Sequence, residues 1–317
     1  MNEYSSTVPP IPSLSRVTDA GRKRRLTALI LAGVLIVGGA GYVAYRLMGT
    51  SGSNIFPEGS YGLVTSVGFP LAPAQTIHLE SSSLIPLIVE GQGTATLVDL
   101  GESAIGEYYL FATEAFGSSN LYRRAPEGTG IEQLTQSATV KFDLSVDPES
   151  GFAAYVSAEG PDAEPHVFVY NPIDRTEKDL GAGVAPTILP GGFHVVFRQG
   201  DALVSVAIDS GTATELLTVG SDAPFAVDAE NLSVAIYNAA LGEIQEFSIR
   251  NIVSASYESS KPTEFVPISL TYVHGELLQA SRGEDSMLTM ALDTAKEAIS
   301  GVDTETYPNL KISVHHD

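Results

Sequence analysis

The sequence predicts an all-β protein, a β-propeller of about six (five to seven) four-stranded blades, preceded by one N-terminal transmembrane helix. Three observations support this prediction. Short apolar strands and turns recur along most of the 317 residues. One apolar run near the N-terminus is long enough to cross a bilayer. Glycine and proline are scattered between the strands, as expected for many short strands joined by turns.

Charge divides the chain into a basic N-terminal part and an acidic remainder. Residues 1–25 contain five basic and two acidic residues, and Arg46 adds one more positive charge. Because the whole chain carries a formal net charge of −21, residues 47–317 hold the remaining −25. A domain this acidic repels phosphate groups, so nucleic acid is not an expected partner.

Residues 26–48, LTALILAGVLIVGGAGYVAYRLM, form the predicted membrane segment. No charged residue precedes Arg46 in this run of 23 residues, and a helix rising about 1.5 Å per residue then spans the roughly 30 Å hydrocarbon core. The sequence GRKRR lies directly before the run, so the positive-inside rule places the N-terminus in the cytoplasm. The predicted location is the cell membrane, with a single-pass signal anchor in the lipid bilayer.

This topology divides the chain into four parts. They are a disordered cytoplasmic tail (1–25), the transmembrane helix (26–48), a linker (49–54) and an extracytoplasmic propeller (55–317). A cleavable signal peptide is the alternative for the second part, since Gly38 and Ala40 supply small residues at a cleavage site. The apolar run extends beyond the 7–15 residues of a signal-peptide core, which favours a retained anchor.

The clearest repeat unit runs from Tyr108 to Thr135, YYLFATEAFGSSNLYRRAPEGTGIEQLT. It reads as a strand, a turn, a second strand, a glycine turn and a third edge. The same order recurs, each time after a short strand and turn, at Gly151–Leu180, Gly192–Leu217, Leu232–Glu258 and Glu276–Ser300. The preceding turns are separated by 42, 39 and 45 residues, counted at Pro148, Pro190, Ala229 and His274. A period near 40 with four strands per unit is typical of propeller blades.

Three segments fit the repeat less simply. Residues 55–93 have strand character but follow the pattern poorly. Residues 291–299, ALDTAKEAI, are compatible with two turns of helix, although Ser300-Gly301 follows directly. The C-terminal LKISVHHD, residues 310–317, is predicted to pair with an N-terminal strand and so close the ring, which removes free sheet edges.

The repeat resembles the WD-like repeats of the TolB type. The unit from Tyr108 has that family's apolar strand, glycine-bearing turn, "LY" strand and terminal "LT", and DPESGFAAYVS and LPGGFHVVF are similar to its Ser-Pro-Asp-Gly turn followed by a strand. The resemblance covers about 94–300 and departs in detail, because no unit carries the full turn motif and Trp is absent. It implies a propeller in which Gly117, Tyr122 and Gly128 shape the blade.

Residues that carry chemistry are sparse, and no catalytic, cofactor-binding or metal site is predicted. The chain contains no cysteine, which excludes disulfides and cysteine-ligated metal centres. It also has no G-x-S-x-G motif of a hydrolase nucleophile. Of the six histidines, His166 and His194 lie in predicted strands, and His315 and His316 are adjacent, so they point to opposite faces of a strand.

The sequence DLSVDPE, residues 143–149, spaces oxygen atoms like the start of a calcium loop. Pro148 occupies the position that such a loop reserves for glycine, so an inter-strand turn is the favoured interpretation. Asn231 begins an Asn-Leu-Ser sequon, which matters only in a host that glycosylates exported proteins.

The function predicted from these features is a non-catalytic scaffold. It would bind a protein partner or another ligand, with partners at the propeller face or in the central channel, and no cofactor is expected. One alternative is a propeller enzyme, a lyase or hydrolase, with carboxylates or a metal in the central channel. Another is a structural component of an envelope complex assembled through the transmembrane helix.

Overall fold

The computed structural model describes residues 131–263 and 266–273 continuously. Elsewhere it describes 60–66, 69, 71, 74–78, 84–86, 96–102, 108–113, 119–124, 276–282, 288–292, 295–299 and 310–314. All of these residues belong to one compact unit, Thr50–Asp317. The predicted tail (1–25), membrane helix (26–48) and linker (49–54) lie outside them. Among the described residues, no helix has the length and apolar character needed to cross a membrane.

The described residues form strands joined by turns, and the strands pair into six antiparallel four-stranded sheets. Sheet 1 contains β1 (Ser60–Ser66), β2 (Gln75–His78) and β3 (Leu84–Pro86). Sheet 2 contains β4 (Thr96–Glu102), β5 (Tyr108–Thr113), β6 (Ser119–Arg124) and β7 (Ile131–Gln133). Sheet 3 contains β8 (Val140–Val146), β9 (Ala153–Ala158), β10 (His166–Asn171) and β11 (Thr176–Ala182).

The second half of the chain repeats this arrangement. Sheet 4 contains β12 (Val184–Ile188), β13 (His194–Gln199), β14 (Ala202–Ala207) and β15 (Ala213–Thr218). Sheet 5 contains β16 (Phe225–Asp228), β17 (Ser233–Asn238), β18 (Glu243–Ser248) and β19 (Ser256–Pro262). Sheet 6 contains β20 (Pro267–Val273), β21 (Glu276–Arg282), β22 (Leu288–Leu292) and β23 (Ala295–Ile299). In sheets 2 to 6 each strand pairs with its neighbour in the chain.

The last described strand, β24 (Leu310–Val314), joins the first sheet. It pairs antiparallel with β1, from Gly62 opposite Val314 to Ser66 opposite Leu310. The order in sheet 1 is therefore β24-β1-β2-β3, with β24 in the place that β4, β8, β12, β16 and β20 hold in the other sheets. This explains why residues 55–93 fit the repeat poorly, since that segment supplies only three of the four strands.

The opening unit of the repeat folds as its sequence pattern indicates. YYLFAT is β5, the LY pair lies in β6, and Ile131–Gln133 is β7. One expectation was wrong: the segment 291–299 contains no helix in its described part, because Leu288–Leu292 and Ala295–Ile299 pair as the hairpin β22–β23. Antiparallel pairing between these two strands, for example Met290 opposite Glu297, outweighs the helix propensity of the Ala, Lys and Glu residues.

Apolar side chains fill the spaces between successive sheets. Between sheets 3 and 4, Val167, Val195 and Phe197 are fully buried. Between sheets 4 and 5, Val196, Leu203 and Val234 are also fully buried, in a second cluster. β9 is buried at all six positions, as expected for a strand covered on both faces. The stability of the unit therefore depends on sheet-to-sheet packing, which no single repeat can supply alone.

The first strands of several sheets carry a β-bulge. The pairing of β8 with β9 shifts between Phe142 and Ser145, and that of β12 with β13 shifts between Val184 and Thr187. Asp143 has φ 55° at the first of these bulges, in the left-handed region that Asp tolerates better than most residues. Bulges increase local twist and re-aim side chains, so both first strands bend at these positions.

Candidate functional site

Two sets of turns lie at opposite ends of the strands in sheets 3 to 5. One end, which we call the link face, carries the turns between second and third strands and the links from one sheet to the next. Its described segments are 134–139, 159–165, 183, 200–201, 219–224, 239–242, 263 and 266. The opposite face carries the turns between first and second strands and between third and fourth strands.

Backbone hydrogen bonds hold the segments of the link face together. The amides of Val219 and Gly220 donate to the carbonyl of Asp201, at 2.7 and 3.2 Å. The amide of Tyr237, near the end of β17, donates to the carbonyl of Pro224 at 2.9 Å. The link 219–224 is therefore fixed between the turns of sheets 4 and 5.

A cleft of about 660 Å³ opens on the link face, bounded by residues of sheets 4, 5 and 6. Its lining includes the apolar side chains of Leu217, Val219, Ile236 and Phe247, and Val266 bounds it from the start of sheet 6. This volume lies within the range of about 300–1,000 Å³ typical of ligand sites. An apolar floor open to solvent at one face can bury a side chain of a partner.

Polar side chains of the cleft form a short chain of hydrogen bonds. Asn238 Oδ1 accepts from the amides of Ala240 and Leu241, at 3.1 and 3.3 Å. Asn238 Nδ2 donates to Gln245 Oε1 at 3.3 Å, and Gln245 Nε2 donates to Glu243 Oε1 at 3.0 Å. These contacts fix the β17–β18 turn. The rim of the cleft is therefore held in place by hydrogen bonds within residues 238–245.

Asp222 places an exposed carboxylate in the lining. Behind it, the half-buried Arg198 donates from Nη1 to the carbonyl of Ala223 at 3.2 Å and lies 5.6 Å over the ring of Phe225. Burial lowers the pKa of the Arg198 guanidinium, and nearby carboxylates, Asp222 foremost, oppose that shift. Arg198 thus acts as a support for the link, and Asp222 presents the negative charge to solvent.

Two large apolar side chains are exposed near the cleft. Leu241 is 63% exposed in the β17–β18 turn, and Val266 is 65% exposed at the cleft edge. The amide of Thr263 donates to the carbonyl of Gly242 at 3.1 Å, which brings the chain before Val266 against the turn that holds Leu241. Exposed apolar side chains beside a concave surface are typical of interaction sites.

Buried carboxylates at the opposite face have structural partners. Asp228, 4% exposed, accepts from the amides of Glu230 and Asn231 at 3.0 Å each and from Asn231 Nδ2 at 2.8 Å. Asp147, 2% exposed, accepts from the amides of Glu149 and Ser150 and from the Ser150 hydroxyl. Both carboxylates cap the turn between the first and second strands of their sheets.

The calcium-like segment 143–149 is divided by this arrangement. Asp143 belongs to β8, whereas Asp147 begins the β8–β9 turn and is engaged by its backbone. The inter-strand turn favoured from Pro148 is therefore the observed structure. Among the described residues, no group of three or more His, Asp or Glu side chains is placed to hold a metal ion.

His166 and His194, the histidines whose side chains the structure describes, do not line the cleft. His166 Nδ1 lies 2.9 Å from Asp179 Oδ2, and its Nε2 lies 4.0 Å from Glu164, in a solvent-accessible group at the edge of sheet 3. His194 begins β13, near the opposite face. His78 lies in β2, and His274, His315 and His316 lie outside the described residues.

Buried phenols carry the largest pKa changes in the described structure. Burial, reinforced by the charge of Glu177, raises the pKa of Tyr155. Burial also raises the pKa of Tyr272, whose hydroxyl lies 3.2 Å from Glu246 Oε1. Both tyrosines stay neutral at physiological pH and act as hydrogen-bond donors that join strands, which is a structural role.

Comparison with solved structures shows the class of fold. The chain is similar to the crystal structure of TolB from Acinetobacter baumannii, with a TM-score of 0.51 and 14% identity over 81% of this chain and 66% of that one. It is also similar to a functionally unknown protein from Desulfotomaculum acetoxidans DSM 771, with a TM-score of 0.54 and 10% identity over 81% of this chain and 99% of that one.

These similarities confirm the TolB-like, β-propeller-type fold that the repeat predicts. The chain spans just under two thirds of the length of TolB, and at such low identity the likeness concerns the fold alone. No family model matches the sequence. No curated protein matches it either.

The cleft residues were not singled out from the sequence. In the sequence, Leu217 ends the repeat unit Gly192–Leu217, and Asp222 lies between that unit and the next one. Asn238 gives the one usable signal, since an Asn followed by Ala-Ala-Leu-Gly favours a turn. The cavity itself arises from the packing of three sheets, which a repeat pattern does not describe.

Proposed function

We propose that this protein is a membrane-anchored, extracytoplasmic β-propeller that acts as a non-catalytic scaffold and binds a protein partner at the link face. The observation that carries the proposal is the cleft of about 660 Å³ with its apolar floor. Val266 is exposed in the lining of this cleft, and Leu241 is exposed in the neighbouring β17–β18 turn. Such a surface buries apolar groups of a partner while ordered polar groups fix their orientation.

The chemistry of the cleft supports binding over catalysis. Of its lining residues in the described chain, Asp222 is the one carboxylate, and none is a histidine. General acid–base catalysis needs positioned titratable groups within hydrogen-bond reach of a reacting atom, usually as a pair. Asn238 and Gln245 are neutral amides already engaged with the β17–β18 turn.

Closure of the six sheets into one ring is part of the proposal. The pairing of β24 with β1 supports it, because this pairing joins the end of the repeat array to its beginning. A closed ring leaves only short sheet edges and provides a rigid base for variable loops. The acidity of residues 47–317 further supports a partner other than nucleic acid.

The membrane anchor rests on residues 26–48 and the basic cluster before them. The topology is tested by adding protease to intact cells. We expect residues 49–317 to be degraded and residues 1–25 to be protected. Full protection of 49–317 would overturn the extracytoplasmic location.

Binding at the link face is tested by site-specific photo-crosslinking in the full chain. A photoreactive amino acid replaces Leu241 on the link face or, as a matched control, Ile173 on the opposite face, where it is 82% exposed. We expect a discrete protein adduct from position 241 and none from position 173. A protein adduct from 173 alone would refute link-face binding, and turnover of a substrate lost on Asp222→Asn would favour an enzyme.

A further inference from the structure

The cleft on the link face has a defined chemical polarity. Its floor is apolar, with Leu217, Ile236 and Phe247 contributing. Its lining includes the exposed carboxylate of Asp222, and the lining residue Gln245 donates to the carboxylate of the neighbouring Glu243 at 3.0 Å. An occupant that matches both parts has an apolar group to place in the floor and a hydrogen-bond donor or a cation for the rim.

The surroundings of the cleft favour a cation. The described turns and links of this face carry five carboxylates, none of them buried, and no lysine or arginine. The carboxylates are Glu159, Asp162, Glu164, Asp201 and Asp222. Asp201 and Asp222 are the two that belong to the sheets and link bordering the cleft, whereas the other three lie in the β9–β10 turn of sheet 3. Two cations lie near this set: the half-buried Arg198, held by the Ala223 carbonyl, and the exposed Lys261 at the end of β19. Acidic side chains outnumber these two cations on the described part of the face, so its potential is negative and attracts basic partners.

Two exposed apolar residues lie at the cleft or next to it in the structure. Val266 stands at the sheet 6 side of the cleft, and Leu241 lies in the turn that Asn238 fixes. A peptide that places one apolar residue in the floor can contact one of these exposed side chains with a neighbouring residue.

We propose that this cleft binds a basic peptide segment of a partner protein, in which a large apolar residue enters the floor and an adjacent lysine or arginine pairs with Asp222. The inference deepens the proposed function and rests on it. The apolar contact supplies affinity, while the charge pair selects the partner and speeds association.

The test uses the full chain in detergent and a phage-displayed library of random 12-residue peptides as the probe. We expect enrichment of peptides that contain lysine or arginine next to Leu, Ile, Phe or Met. Their affinity should fall as salt rises, because the rim charges are exposed to solvent.

Two pairs of variants locate the site. Asp222→Lys reverses the rim charge, and Asp174→Lys makes the same change in an exposed turn of the opposite face. Ala239→Trp fills the cleft, and Ala213→Trp adds the same bulk at the exposed start of β15. We expect each cleft variant to weaken the selected peptides by about tenfold or more, and each control to change affinity less than about twofold.

The outcomes separate this inference from the proposed function. Enrichment of acidic or uncharged peptides, no enrichment, or wild-type affinity in both cleft variants overturns the basic-peptide site. If a protein adduct still forms at position 241 in those cases, the scaffold function stands and only the ligand chemistry is wrong. The absence of both peptide enrichment and protein adducts at any face refutes the two proposals together.

Discussion

The hydroxyl of Tyr155 in β9 donates a hydrogen bond to the carboxylate of Glu177 in β11, across the strand β10 that separates them. The Tyr155 side chain is fully buried, and its ring stacks on Phe168 of β10 at 6.2 Å. Glu177 lies at the exposed edge of sheet 3. One phenol thus connects the second, third and fourth strands of the sheet.

Replacing Tyr155 with Phe should alter the alkaline stability of the protein. Burial and Glu177 raise the pKa of Tyr155 in the folded state, whereas a tyrosine in the unfolded chain ionises near pH 10. The unfolded state therefore releases its proton first, and the free energy of unfolding falls as pH rises above about 10. In Tyr155→Phe we expect a shallower fall above about pH 10, and a loss of about 1–2 kcal/mol at pH 7.

Urea unfolding at a series of pH values measures both effects. Tyr257→Phe is the matched control, since that ring is 58% exposed. If Tyr155→Phe had the same alkaline slope as wild type, the pKa of Tyr155 would not be raised in the folded state, and the prediction would be wrong.

Glu132 should contribute to stability at neutral pH and lose that contribution in acid. It pairs with Arg123 at 2.6 Å and with Arg175 at 2.9 Å, so it joins sheet 2 to the β10–β11 turn of sheet 3. The hydrogen bond from Arg123, against a smaller effect of burial, lowers the pKa of Glu132 below 4.5. Because the folded pKa is the lower one, the unfolded state binds a proton first, and stability falls as pH drops through and below 4.5.

Glu132→Gln removes this dependence. We expect a flatter acid limb in thermal unfolding below about pH 4.5 and a loss at pH 7 of less than about 1 kcal/mol, because the pair is partly exposed. Glu230→Gln, an exposed turn residue, serves as the control. An unchanged acid limb in Glu132→Gln would contradict the prediction.

Gly183 lies where sheet 3 passes directly into sheet 4, and its lack of a side chain is required by packing. A Cβ atom there would come within 2.4 Å of Phe197 Cδ2 and 2.8 Å of the Arg198 carbonyl oxygen. Gly183→Ala should therefore destabilise the fold by about 1–3 kcal/mol. Gly160→Ala, with no atom within 4 Å of the added carbon, should leave the denaturation midpoint nearly unchanged, and equal midpoints for the two variants would refute this account.

Asp228 should contribute through the turn that it caps. Asp228→Ala leaves the amides of Glu230 and Asn231 without their acceptor, and we expect a loss of about 1–2 kcal/mol in urea unfolding. Asp228→Asn keeps one acceptor oxygen and should recover part of the loss. If the Asn variant were no more stable than the Ala variant, the turn would not depend on this acceptor.

Strand positions and turns were largely predictable from the sequence because they depend on local patterns. β5, β6 and β7 follow directly from the alternation of residues 108–133, and the Pro148 and Pro190 turns lie between strands as expected. The helix expected at 291–299 was wrong because helix propensity is a weak local preference, and pairing with neighbouring strands outweighs it.

The candidate site was much less predictable, because it depends on distant parts of the chain. Leu217, Ile236 and Val266 meet at one cleft only when three sheets pack side by side. The sequence also does not show that Asp147 and Asp228 are buried turn caps, because it does not distinguish a buried acidic turn residue from an exposed one. The membrane prediction for 26–48 rests on the sequence alone.

The pairing of β1 with β24 imposes an order of events on synthesis. Sheet 1 cannot be completed before Leu310–Val314 has left the ribosome, although its other three strands emerge more than two hundred residues earlier. Until then β1 keeps an unpaired edge, and the nascent chain must avoid pairing it wrongly. Folding of this unit should therefore finish only after β24 has emerged, with a slow final step set by the long loop that this contact closes.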